Sequence, residues 1–352
     1  MSDDERSMLM SAVDDFFSKN VEPANAIIEK GGISDEMMGK IGSQGFIGLL
    51  FSEENGGSNL NPATYLLMLQ EFARFSPSIA LLIAIQNRIA YPLLSGVDGG
   101  QDILKAIASG KKTAGIALSV SSMKKEALGN LSLEKGILSG SKSYVLSPSS
   151  ECIIALTDEK PAAIIATSAS IPVKRYHALG FRGLGIGYAT FDKAEHMILM
   201  RENGDQKMQQ VFDTLDLDIA AIALGMAKGS MQKALDYSKV RSTFGHLLKD
   251  YSPVAFSISS ILEEIDLLSS KLNDPNDFDA PGRKHFKVRA MELALRASRQ
   301  SIQVHGGYGY LEDFGVEKFY RDSASLQTIF GEGYRDNMEL ANQVYGDKSG
   351  FL

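Results

Sequence analysis

The chain holds a single cysteine among 352 residues. Cys152 therefore has no partner for an internal disulfide, and a cysteine-rich metal site is excluded; a reducing compartment suits such a chain. It stands in the apolar run Cys152-Ile153-Ile154-Ala155-Leu156, where a small core residue is the expected role. Histidine is scarce too: there are five, none paired at metal-ligand spacing, so no metal site is expected. Long uninterrupted apolar runs are missing. The longest, Ile79 to Leu94, is broken by Gln86-Asn87-Arg88 and reads as a buried helix, not a membrane span. There is no excess of positive charge; the net of −7 argues against nucleic acid as a partner. The first residues, Met1 to Arg6, are acidic and lack the apolar core of a signal peptide, so a cytoplasmic protein is expected. Neither G-x-S-x-G nor H-E-x-x-H occurs. The run Gly183-Leu184-Gly185-Ile186-Gly187 has Tyr188 where G-x-G-x-x-G needs glycine, and it leads into a strand-like run, so a Rossmann site is not expected.

What is present fits an ordinary globular balance, 44% apolar and 22% charged, in a chain long enough for two or three packed layers. Three compositional zones follow one another, without internal repeats. Residues 1–112 read helical. Residues 113–202 carry short strand-like runs (113–120, 138–146, 152–157, 163–167) punctuated by Pro, Gly and Ser. Residues 203–352 return to helical periods. Leu215, Ile219, Ile222 and Met226 form one apolar stripe; Val254, Ile258, Ile261, Ile265, Leu268 and Leu272 form a second; Met291, Ala294, Leu295 and Ile302 mark a third. Each stripe must be buried against other helices, which makes a bundle. Ser252-Pro253 reads as a cap residue and a first-turn proline opening the second helix.

The most informative run is Gln303-Val304-His305-Gly306-Gly307-Tyr308-Gly309-Tyr310, followed by Val316-Glu317-Lys318-Phe319-Tyr320-Arg321-Asp322. A helix there gives way to three glycines within four residues. Such a bend exposes backbone N–H groups and lets a pyrophosphate approach closely; a helix C-cap also favours glycine. Arg241-Ser242-Thr243-Phe244-Gly245 ends another long helix, and Leu179-Gly180-Phe181-Arg182-Gly183 lies in the strand-rich zone. His305 is expected to bond backbone rather than to act in catalysis.

In their order and character these segments resemble the acyl-CoA dehydrogenase family of flavoproteins. The resemblance is strong after residue 175 and thin between residues 115 and 175. It implies a mainly helical fold with a small central β-barrel domain: an N-terminal helical domain (1–112), a middle β domain (113–202) and a C-terminal four-helix bundle (203–352). It also implies FAD held across a subunit interface, hence a homodimer or homotetramer. Arg241 would pair with pyrophosphate, for which the planar guanidinium fork is suited. Phe244 would pack against the adenosine side, and Gln303, Gly306, Gly307 and Gly309 would line the cofactor. A cation at a helix C-terminus is the plain alternative for Arg241.

Two segments depart from the family pattern. The loop after the first strand reads Ser119-Val120-Ser121-Ser122-Met123-Lys124-Lys125-Glu126 in place of a glycine-rich flavin loop, with Ser119 left as a hydroxyl donor. The second flavin strand reads Lys142-Ser143-Tyr144-Val145-Leu146-Ser147; Tyr144 keeps an aromatic ring for stacking, and Leu146 lacks a hydroxyl unless a one-residue slip brings Ser147 there. The activity implied is α,β-dehydrogenation of an acyl-CoA, as in fatty acid metabolism, with an electron-transferring flavoprotein as acceptor. A carboxylate removes the α-proton. The corresponding segment reads Thr328-Ile329-Phe330-Gly331-Glu332-Gly333, placing Phe330 or Gly331 at the base position and Glu332 one or two residues beyond. Asp216, on the first bundle helix, is the other base candidate, or a solvated turn residue. Asn87 is a candidate for the substrate pocket. Two further readings stay open: a flavin-poor paralogue acting as a scaffold or binding protein, and an oxygen-using flavin oxidase or monooxygenase.

Overall fold

A computed structural model describes residues 3–117, 131–157, 163–167, 171–200, 204–331, 341–342 and 345–346. The described helices are α1 (Asp3–Phe16), α2 (Asn25–Gly31), α3 (Asp35–Ser43), α4 (Pro62–Phe75), α5 (Pro77–Ala84), α6 (Tyr91–Leu94), α7 (Gly100–Ala108), α8 (Gly204–Val240), α9 (Ser252–Ser270), α10 (Ala280–His305) and α11 (Glu317–Phe330). The chain is mainly helical, with its sheet strands in the middle of the sequence. By internal contacts it divides into two compact units: residues 1–26, 62–80 and 216–352, and residues 27–61 and 81–215. These units cut across the three compositional zones.

In the first unit the helices assemble around α8, because α8 carries glycine where α4 must come close. A Cβ on Gly225 would lie 2.1 Å from the Gln70 carbonyl oxygen, and one on Gly229 2.3 Å from that of Arg74. Gln70 and Arg74 are one turn apart on α4, as the two glycines are on α8, so two backbones meet along a small-residue seam. Phe17 stacks on Phe72 with centroids 4.6 Å apart in the same core. The stripe of α9 is buried at Ile258, Ile261 and Ile265 and continues at Leu272. That helix starts at Ser252 with Tyr251 as the flanking residue and no side-chain cap, so the expected serine cap lies one residue inside the helix. The Ser301 hydroxyl donates to the Ser230 carbonyl at 2.7 Å and ties α10 to α8.

The second unit holds an eight-stranded sheet: β1 (Ala114–Ala117), β2 (Leu131–Glu134), β3 (Ile137–Leu146), β4 (Cys152–Leu156), β5 (Ala163–Thr167), β6 (Val173–Arg175), β7 (Ile186–Asp192) and β8 (His196–Met200). Its order is β6-β7-β3-β1-β4-β5-β8, with β2 on β3. Only β1 and β4 run parallel among the described pairings. Leu131, Leu138, Val145, Ile153 and Phe191 fill its core. The apolar stretch Pro77–Leu94 has a mean hydropathy of 1.2 and is 83% buried in the protein, as a core helix is. Between Ile85 and Ala90 it widens into a π-helical turn, a form that recurs at functional sites.

Candidate functional site

The ends of α8 and α10 are brought together in the first unit. After Val240 the chain makes a hairpin, β9 (Ser242–Thr243) against β10 (His246–Leu247), in which Thr243 faces His246. The two loop residues, Phe244 and Gly245, both have positive φ, +48° and +84°. That is the pairing a tight two-residue hairpin requires, and it is uncomfortable for phenylalanine. The Phe244 ring is 94% exposed. The hairpin was not legible in the sequence, because its strands are two residues long; the pair Phe244-Gly245 was its only signal.

The α10 end is shaped by two glycines. Gly306 adopts φ 59° and ψ −136°, a backbone state open to glycine. A Cβ on Gly309 would lie 2.5 Å from the Ile302 carbonyl oxygen, so the turn Gly306–Tyr310 can close only because that atom is absent. Gln303, Gly306 and Gly307 are exposed and Gly309 is buried. The Arg241 guanidinium stands 5.7 Å from the Tyr308 ring centroid, within cation–π range. Thus Arg241 and the glycine bend, which begins 65 residues later in sequence, share one exposed, cationic surface. Open space at the Cα atoms of Gly306 and Gly307 lets a ligand approach the backbone, and the guanidinium beside it suits an anion, so these residues fit the phosphate end of a dinucleotide. His305 lies beneath: its Nδ1 is 2.8 Å from the Ser301 carbonyl, the expected backbone bond. Burial, with Lys233 as a lesser cause, pushes its pKa below the usual value; the Ser301 bond acts in the opposite direction.

In the second unit Tyr144 sits where β3 gains a residue against β7: Lys142 pairs with Ala189, yet Val145 pairs with Gly187. Such a bulge re-aims side chains and is common beside active sites. Burial, and then Tyr176, raise the Tyr144 pKa. Leu146 is fixed in the ladder between Ile116 and Ile186, and the Ser147 hydroxyl lies 2.9 Å from that of Ser150. Ser119 and Glu332 lie outside the described residues.

Asn87 is a backbone clamp by geometry. Its Oδ1 accepts from the Leu50 N–H at 2.8 Å; its Nδ2 donates to the Ile47 and Ile83 carbonyls at 2.7 and 2.9 Å. Both amide hydrogens are spent, so the side chain supports the loop after α3 and has no donor left for a ligand. Neighbouring Gln86 does the same for β1, pairing with both N–H and carbonyl of Ala114 at 2.9 and 3.0 Å. Asp216 is not a solvated turn residue. It lies within α8, nearly buried, 2.8 Å from the Lys287 ammonium of α10. Two residues on, buried Asp218 accepts from the Tyr65 hydroxyl of α4. Sequence reasoning missed Lys287 and Tyr65, because a partner on another helix leaves no local pattern. Phe330 is the last residue of α11, and Gly331 turns the chain out of the helix.

Two family models match this chain: the acyl-CoA dehydrogenase N-terminal domain over residues 3–110 and the acyl-CoA dehydrogenase C-terminal domain over residues 203–341. The chain belongs to the acyl-CoA dehydrogenase family. Members of this family are FAD-dependent oxidoreductases acting on CH–CH groups. Among its relatives, the caffeyl-CoA reductase-Etf complex subunit CarC of Acetobacterium woodii is 28% identical over 376 residues, covering 97% of this chain and 98% of that one. An acyl-CoA dehydrogenase of Bacillus subtilis is 25% identical over 375 residues, with the same coverage. A glutaryl-CoA dehydrogenase of Mycobacterium smegmatis, solved in complex with FADH2, shares the fold with a TM-score of 0.87 at 15% identity, covering 100% of this chain and 97% of that one.

Proposed function

We propose that the protein catalyses FAD-dependent α,β-dehydrogenation of an acyl-CoA thioester and passes the electrons to an electron-transferring flavoprotein. The observation that carries this reading is the joining of Arg241 to the Gly306–Gly309 bend on one exposed surface. Support for the electron acceptor comes from the Acetobacterium relative, whose name places it in an Etf complex. In this reading the surface is half a cofactor site, completed by a second copy of the chain in a homodimer or homotetramer. Arg241 neutralises the pyrophosphate, Gln303 and the backbone of Gly306, Gly307 and Gly309 line it, and Phe244 packs against the adenosine side. Tyr144, re-aimed by its bulge, stacks at the flavin end, with Ser119 as hydroxyl donor. Bound FAD supplies the hydride acceptor for the substrate β-carbon.

The protein's own part in the chemistry is the proton. A carboxylate takes it from the α-carbon, and desolvation raises the carboxylate's basicity for that step. Glu332 takes this role from the segment after α11; Asp216 is the alternative, and its ion pair with Lys287 opposes it, since a neighbouring cation stabilises the carboxylate that must accept a proton. The division at residues 112 and 202 separates a helical segment, a flavin-stacking segment and a cofactor-clasping bundle.

Purification tests the reading. The protein is expected to be yellow and to lose its flavin absorbance anaerobically with one member of an acyl-CoA series; a colourless protein that takes up no FAD refutes it. A second reading, a flavin-poor binding paralogue or an oxygen-using flavin oxidase, is favoured by Phe330 and Gly331, which put no carboxylate at the end of α11. Hydrogen peroxide formed on aerobic mixing with the acyl-CoA distinguishes the oxidase.

A further inference from the structure

Four rings pack together beside Arg241 and the glycine bend, and one of them, Tyr308, is itself exposed. Tyr237 is one turn before Arg241 on α8, and its carbonyl accepts the Arg241 N–H at 2.9 Å. Its ring stacks on His305, with centroids 4.3 Å apart and planes at 24°. His305 is the last residue of α10, directly before Gly306. Phe314 meets both edge-on at 6.3 and 6.2 Å and lies 5.0 Å from Tyr308. Tyr308 in turn carries the Arg241 guanidinium over its face. The contacts form a closed circuit that starts and ends at Arg241 and passes through the residue that opens the bend. The bond from His305 Nδ1 to the Ser301 carbonyl fixes the plane of the middle ring.

We infer that Tyr237, His305 and Phe314 are positioning residues for the phosphate end of the bound dinucleotide, holding the Arg241 guanidinium and the open backbone of the glycine bend at the separation that lets both engage one anion. This rests on the assignment of that surface as an FAD half-site. The need is physical. An isolated two-stranded hairpin is marginal in water, and a short glycine turn has more freedom than other backbone. Each would lose that freedom on binding, and the loss would subtract from affinity. A stacked circuit between them removes the freedom beforehand. Tyr308, still 44% exposed, joins the circuit to the binding surface itself.

The test is an FAD titration of flavin-stripped protein, followed by flavin fluorescence, with thermal unfolding of the same apo-protein beside it. Tyr237→Leu is expected to weaken FAD binding about two- to tenfold, the range one aromatic pair supports. Tyr237→Phe keeps the ring and is expected to bind as the unaltered protein does. Tyr308→Leu, at the surface, is expected to weaken binding about two- to fivefold with an unchanged unfolding midpoint. An unaltered Kd in Tyr237→Leu with a lowered midpoint overturns the proposal, because that is what packing alone gives. So does a Phe variant as weak as the Leu variant. If Tyr237→Leu does not fold, an unaltered Kd in Tyr308→Leu overturns it instead. Failure of the unaltered protein to bind FAD sinks the half-site assignment itself, whereas normal binding by all variants sinks the positioning role alone.

Discussion

The pair Asp216–Lys287 decides between a structural strut and a proton acceptor, and its removal has a calculable consequence. The two side chains are 12% and 7% exposed and 2.8 Å apart, so little water reaches either. Deleting one partner leaves the other charged in a place poor in solvent. Breaking a buried pair in this way costs about 3–5 kcal/mol. A unit of this size loses about 2–4 °C of Tm per kcal/mol, so Asp216→Leu and Lys287→Met should each lower the melting temperature of the apo-protein by about 10 °C. The double variant replaces both charges by apolar groups of similar bulk and should recover at least about 2 kcal/mol relative to the sum of the singles. Differential scanning calorimetry of the four proteins measures this. Singles that cost under about 1 kcal/mol, or effects that simply add, refute the reasoning.

Activity separates the second role. Asp216→Asn keeps shape and removes the charge. If Asp216 is a strut, the variant that still folds should bleach its flavin with acyl-CoA at a rate near that of the unaltered protein. If it is the base, turnover should fall about 10²–10⁴-fold while flavin stays bound. The matching variant Glu332→Gln should show the opposite outcome in each case.

Other consequences can be checked separately. Gly225→Ala should destabilise the first unit by about 1–3 kcal/mol or more, because its Cβ would meet the Gln70 carbonyl at 2.1 Å; a melting temperature unchanged within error would show that α4 can move away from α8. Asn87→Leu leaves the Leu50 N–H and two carbonyls without their partner and should cost about 2–4 kcal/mol by denaturant unfolding, with no specific loss of acyl-CoA affinity if the residue is a clamp. The Cys152 thiol is pushed up to about 12, first by burial and then by Glu151, so a disulfide reagent at pH 8 should leave the native protein unlabelled and react once it is unfolded. His305 has a folded pKa below its ordinary value of 6.5, so the folded protein prefers the neutral ring; that contribution to stability is complete above pH 6.5 and is lost as pH falls through the depressed folded value. The Tm should drop on acidification from pH 7, and His305→Gln should flatten that slope.

The helices are legible where an apolar stripe repeats, as Ile258, Ile261 and Ile265 mark one face of α9 at helical spacing, and strands such as 163–167 are legible as short apolar runs. Contacts between distant segments carry no such period. Asp216 and Lys287 are 71 residues apart, and only packing shows that one meets the other. Asn87 illustrates a different limit. A polar residue inside an apolar run is what a ligand pocket needs, and equally what a backbone needs where a π-turn and a loop leave N–H and carbonyl groups to be satisfied. Composition cannot choose between them; three hydrogen bonds can.

The two ends of the proposed site differ in how far they depart from the family's sequence pattern, and the difference has a mechanical cause. The phosphate end depends on backbone: a glycine state at Gly306, a close approach at Gly309, a left-handed turn at Phe244 and Gly245. Few substitutions satisfy such demands, so these residue types stand out in a single sequence. The proton-transfer end depends on where one carboxylate is carried, which several segments can do. In sequence, a glycine-flanked Glu332 follows α11, and a buried aspartate, Asp216, stands on α8. A chain with phenylalanine at the end of α11 can therefore keep its cofactor clasp while its proton acceptor moves or is lost, and the Asp216 and Glu332 variants report whether either segment has taken it.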